Sequence, residues 1–135
     1  MEERYGKLIF KEGFSLNTSR TIGEFIEEKF AEKGIVTALP TAADWGYVFR
    51  VHVNIQAFDL FVIRIGNDLW GISTEQTSTL LNKVFRNNGD PLLAFIQNEL
   101  TAVLTATGQL EKLTWYSKQE RLNEFGEEFF RTGVD

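Results

Sequence analysis

No cysteine occurs among the 135 residues, which excludes disulfides and thiolate metal sites and fits a reducing compartment. A single histidine, His52, leaves a transition-metal centre short of converging ligands, and no spacing motif marks carboxylates to replace them. No metal and no cofactor are therefore expected. No nucleophile and base pairing and no phosphate-cradling glycine loop stands out, so no catalytic residue is assigned. Several carboxylates exist, but nothing in the order of residues brings two into one cleft at glycosidase-type separation. Bases are outnumbered, 14 against 19 acids, for a net charge of −5. That balance repels phosphate backbones and offers no basic patch, so nucleic acid is not an expected partner. The longest apolar stretch, Ala57 to Ile65, is broken by Asp59 and Arg64. It falls far short of the roughly 20 residues a membrane helix needs, and no membrane association is expected. The charged start leads to only three consecutive apolar residues, Leu8-Ile9-Phe10, too few for a signal-peptide core. The expected location is cytoplasmic.

What is present argues for one folded domain. An apolar fraction of 43% with twelve phenylalanines supplies a core, and at this length roughly two-thirds of the unfolded chain's surface is buried on folding. From Gly46 the odd positions Tyr47, Phe49, Val51, Val53 and Ile55 are apolar while Arg50, His52 and Asn54 alternate with them, a period of two that marks a strand with one buried face. Phe58 to Ile65 is apolar on both faces and reads as a central strand covered on each side. Gly66-Asn67-Asp68 then turns the chain into Leu69-Trp70-Gly71-Ile72, which predicts a hairpin and an antiparallel meander. Tyr5 to Lys11 and Leu113 to Tyr116 supply two more strands. Ile35 to Leu39 is a further short one, in which Pro40 presses Leu39 toward an extended conformation.

Helices fill the intervals. Thr21-Ile22-Gly23-Glu24 has capping-box spacing ahead of the stripe Ile22, Phe25, Ile26 and Phe30, with Gly34 as the stop. Leu80, Leu81, Val84 and Phe85 predict a helix ending near Gly89, after which Asp90 and Pro91 open the most apolar helix, Pro91 to Thr107. Its inward set is Leu92, Leu93, Phe95, Ile96, Leu100, Val103 and Leu104, and Gly108 ends it. Ser117 to Glu120 is a second capping-box match, opening a last helix through Leu122, Phe125 and Phe129, with Gly126 near its apolar side. The fold class expected is α+β, with a mostly antiparallel sheet of four to six strands and helices packed on it.

Candidate sites are few. Asp44-Trp45-Gly46-Tyr47, preceded by Pro40, resembles the strand start of small, mostly uncharacterised bacterial α+β proteins that carry an acid-Trp-Gly-aromatic motif. That resemblance implies a bacterial or phage source and transfers no activity. Trp45 reads chiefly as a cap on the core and secondly as an anchor for a ligand or partner. His52 reads as a cross-strand polar contact rather than a general base. Asp59 and Arg64 lie in opposite pleats, each bound for a strand end or a cross-strand partner.

The acids are better organised. At about 100° per residue Glu24, Glu27, Glu28 and Glu32 form a stripe opposite the apolar side of the first helix, with Lys29 and Lys33 leaning the other way. Glu120, Glu124, Glu127 and Glu128 repeat the arrangement in the last helix. Two acidic helix faces with no catalytic constellation point to a small protein-binding module of the inhibitor, immunity or adaptor kind. Its partner carries a basic surface and meets Glu24, Glu28, Glu124, Glu128, Trp45 and Tyr47. The other reading is a small-molecule binder or enzyme with its pocket between the sheet and the Pro91 to Thr107 helix, lined by Tyr47, Trp70 and Arg50. A third is a subunit that exposes a sheet edge to another copy of itself.

Overall fold

Period-two alternation builds one six-stranded sheet in the structure, a computed structural model that describes residues 3–13, 15–53, 56–66, 69–76, 89–117 and 119–120. The strands are β1 (Glu3–Phe10), β2 (Val36–Ala43), β3 (Gly46–Val53), β4 (Gln56–Gly66), β5 (Leu69–Gln76) and β6 (Leu110–Ser117). Their spatial order is β2-β3-β4-β5-β1-β6, and every neighbouring pair is antiparallel. Strands β2 to β5 form the expected meander, and β1 returns to sit between β5 and β6. Helices α1 (Ser19–Glu32) and α2 (Gly89–Thr105) complete an α+β fold.

Both helices lie on one face, α1 over β2, β3 and β4, and α2 over β1, β5 and β6. Between them and the sheet sit Leu8, Phe49, Phe58, Leu60, Ile72, Ile22, Ile26, Phe30, Leu93, Ile96, Leu100 and Leu104, all essentially without solvent contact. Each large apolar side chain buried this way contributes about 1.5–3 kcal/mol, so this layer supplies most of the drive to fold. The opposite face carries a smaller cluster of Tyr5, Ile63 and Tyr116 with Ile65 packed against it. Apolar residues on both faces of β4 thus mark an interior strand whose second face is covered at Ile63 but only half-covered at Phe61.

Local signals held with shifts. The N-cap of α1 is Thr18, not Thr21. Thr18 Oγ1 accepts from the Thr21 amide at 3.1 Å, and Thr21 Oγ1 accepts from the Thr18 amide at 3.1 Å, so a threonine supplies the reciprocal bond expected of Glu24. At the other end Gly34 takes the left-handed φ of 79°, its amide bonds Ala31 O at 3.0 Å, and the Ile35 amide reaches Phe30 O at 2.9 Å. That pair of bonds satisfies carbonyls the helix end leaves open. Helix α2 begins at Gly89, one residue before the expected cap at Asp90, and Gly108 follows it at φ 69°. Ser117 and Glu120 make the predicted reciprocal bonds at 3.0 and 3.2 Å.

Two expectations are overturned. Leu39 is left-handed at φ 53° rather than extended, because β2 runs on through Pro40 to Ala43 and the register against β3 shifts between Ala38 and Thr41. The bulge absorbs the proline on an edge strand, where its missing N–H breaks no ladder. Phe95 is 41% exposed rather than buried. It falls roughly 130° from the mean direction of Leu93, Ile96, Leu100, Val103 and Leu104, the residues that set the inward side of α2. The helix over Leu80 to Phe85, the turn residues Asn67 and Asp68, the last helix with Gly126, and Asn54 and Ile55 lie outside the described residues. Among the described residues no helix is long and apolar enough to cross a membrane.

Candidate interaction surface

The two residues expected to act together, Trp45 and Tyr47, point to opposite faces of the sheet. Strand alternation would place i and i+2 on one side. Trp45 precedes β3, however, in the turn Asp44-Trp45, and Gly46 takes φ 148°. A β-carbon on Gly46 would overlap the carbonyl oxygen of Val62, so the close approach and the backbone conformation both call for glycine. The indole consequently lies on the face away from the helices, 5.9 Å from the Phe61 ring at a 46° tilt and 38% exposed. It does not cap the main core.

Tyr47 faces the helices. Its ring is buried above Gly23, where a β-carbon would overlap it, and its hydroxyl donates to the Glu27 carboxylate. Burial, then this hydrogen bond and the nearby Glu27 charge, hold the hydroxyl above the usual tyrosine pKa range. Glu27 is thereby drawn out of the acidic stripe. Arg20 pairs with Glu24 at 3.2 Å and Lys29 with Glu32 at 3.4 Å. Glu28 is left as the stripe's one carboxylate without a hydrogen bond or ion pair to a described residue. Lys29 and Lys33 do lean inward: Lys29 lies 5.6 Å from the centroid of the Phe25 ring, and Lys33 bridges to Glu99 of α2 at 2.7 Å. Glu124 and Glu128 lie outside the described residues.

Nothing joins Tyr47, Trp70 and Arg50 into a pocket. Tyr47 and Trp70 belong to the helix-covered core, with Arg64 stacked 5.6 Å from the Trp70 ring, while Arg50 occupies the other face. Asp59 finds its cross-strand partner in Arg50, Nε to Oδ1 at 3.0 Å, and Arg64 reaches a strand end at Gly66 O, 3.2 Å. His52 is exposed, and among the described residues it makes no polar cross-strand contact of the kind expected, because its direct cross-strand neighbours are Val36 and Ala57. Among the described residues no group of three or more His, Asp or Glu gathers to hold a metal.

Trp45 and Phe61 form an exposed apolar contact, and the neighbouring edge strand β2 is itself largely apolar and uncharged. Val36 and Leu39 are 62% and 65% exposed on β2, and nine residues from Ile35 to Ala43 carry no charge. Leu39, Thr41, Val48, Arg50, Asp59 and Phe61 line a hollow of about 280 Å³ on the same face. A second, larger hollow of about 680 Å³ opens between α1 and α2 against Leu16, Phe25 and Val103, with Lys29 and Lys33 at its border. Sequence reasoning missed the first hollow and its Arg50–Asp59 pair. Their signal was available: with Val53 opposite Gln56, a two-residue connection sets Arg50 opposite Asp59. No protein-family model matches the chain, and no curated protein does.

Proposed function

We propose that the chain is a small cytoplasmic protein-binding module of the inhibitor, immunity or adaptor kind, acting by occupying a partner's surface. The observation that carries this reading is the exposed apolar surface formed by Trp45 on Phe61, with Leu39 of the edge strand lining the same hollow as Phe61. Water-exposed apolar side chains gathered in one place, with a tryptophan among them and an arginine beside them, have the make-up of an interface hot spot. The acids act differently. Glu24 and Glu28, with Glu124 and Glu128, contribute to a net charge of −5 that steers a basic partner from a distance, over a Debye length of roughly 10 Å at 0.1 M salt. Anchoring and steering separate by experiment. Trp45→Ala raises the dissociation rate of the isolated complex, whereas changing the four glutamates to glutamine slows association at low salt and leaves dissociation unchanged. Unchanged kinetics in Trp45→Ala would remove the apolar surface from the interface.

Small-molecule binding has its best support in the hollow between α1 and α2, whose volume falls in the range of ligand pockets. Ala106→Leu, which puts a larger side chain into it, weakens binding of any ligand recovered with the native protein if this second reading holds.

A further inference from the structure

Arg50 and Asp59 are half-buried side by side on the floor of the hollow next to Trp45, and each keeps unused hydrogen-bonding capacity. Arg50 Nε donates to Asp59 Oδ1 at 3.0 Å, and among the described residues this is the one hydrogen bond of either side chain. The other guanidinium N–H donors and the second carboxylate oxygen, an acceptor, are therefore open on adjacent atoms.

The chemistry of an occupant follows from that pairing. A carboxylate gains from Arg50 but is repelled by Asp59 and by Glu75, which stands opposite Asp59 on β5, and an ammonium gains from these acids but is repelled by Arg50. An apolar cap strips water from both charges without replacing its hydrogen bonds. A single peptide group is neutral, yet its trans geometry aims N–H and C=O in opposite directions; one extended residue does turn both to the same edge, but a whole strand is broader than a hollow of about 280 Å³ admits. A primary carboxamide carries its N–H and its C=O on a single edge. It donates to Asp59 and accepts from Arg50 at once, without net charge.

We propose that the partner is a protein that seats the carboxamide of an asparagine or glutamine on the Arg50–Asp59 pair, next to an apolar residue lying on Trp45 and Phe61. This inference rests on the protein-binding reading of the Trp45 surface and adds its specificity. A hollow of about 280 Å³ suits one or two inserted side chains. Nucleobases also present a donor beside an acceptor and stack on tryptophan, but the chain's net charge of −5 opposes a phosphate backbone.

The test is selection of a random linear peptide library on the folded full-length chain, with parallel selection on Trp45→Ala and Asp59→Asn. Binding of synthetic copies is then read by fluorescence anisotropy. Peptides that need Trp45 are expected to share an asparagine or glutamine. Exchanging it for aspartate or glutamate should weaken binding by about tenfold or more, as should Asp59→Asn with its circular dichroism and thermal midpoint unchanged. Trp45-dependent peptides indifferent to that exchange overturn the carboxamide inference and leave the protein-binding reading standing. Failure to recover any Trp45-dependent peptide overturns both. A single-stranded oligoadenylate that binds the wild type and is lost in Asp59→Asn assigns the pair to a base and overturns the proposal.

Discussion

Tyr47, Glu27 and Gly23 form a close contact between helix and sheet, and each has a measurable consequence. The Tyr47 hydroxyl donates to a carboxylate that is half-buried beneath it. Tyr47→Phe removes the donor and leaves that carboxylate unpartnered, a loss of about 1–3 kcal/mol in urea unfolding. The pH dependence follows from the raised tyrosine pKa. The unfolded chain releases this proton near pH 10 while the folded chain holds it, so the stabilisation is complete below about pH 10 and declines above it. Wild-type stability should therefore fall more steeply than that of Tyr47→Phe above pH 10, by up to about 1.4 kcal/mol per unit. Parallel curves would mean the hydroxyl is free. Gly23→Ala gains roughly 1 kcal/mol of helix propensity but drives a methyl into the Tyr47 ring, an overpacking that costs about 1–3 kcal/mol. A lower thermal midpoint is the expected outcome. Alternation alone turned Tyr47 inward. Its partner on α1 was not legible, because the rotation and offset of a helix against a sheet are tertiary quantities.

Helix α2 shows where periodicity gives a helix and misplaces a residue. Its existence and apolar character follow from the seven apolar positions, but seven are more than one face holds, and the sheet selects the set around Ile96 and Leu100. Phe95→Ala is accordingly expected to cost less than about 1 kcal/mol, whereas Ile96→Ala costs about 2–5 kcal/mol by chemical denaturation. Equal losses would contradict the assigned rotation of the helix. Strand β2 gives a matching lesson. Pro40 reads as the end of a strand, yet an edge position lets the ladder continue past it through a bulge, and edge positions depend on the order of strands. Capping chemistry was legible in kind. Thr18 displaced Thr21 as the N-cap because the Thr21 hydroxyl makes the reciprocal bond that the pattern assigns to a glutamate or glutamine, so the helix starts three residues earlier than the Thr–Glu spacing indicates.

The molecule as a whole has two unlike sides. One is closed by helices whose outer acids are in part paired with neighbouring bases; the other carries Trp45, Phe61 and the Arg50–Asp59 pair beside an uncharged edge strand. Glu28 and Trp45 therefore belong to opposite sides, and no flat partner touches both. The α+β class was readable from alternating and helical periods. The exposed surface was not, because it is assembled from β2, β3 and β4 and from a turn that breaks the alternation at Trp45. The most direct measurement is site-specific photo-crosslinking in lysate of the native cells, with a photoreactive amino acid at position 45, 61 or 28, followed by reconstitution of any adduct's two proteins in purified form. Adducts with one protein from positions 45 and 61, none from 28, and a purified complex weakened about tenfold or more by Trp45→Ala is the predicted result. Adducts from position 28 alone, or a purified complex indifferent to Trp45→Ala, would contradict the account.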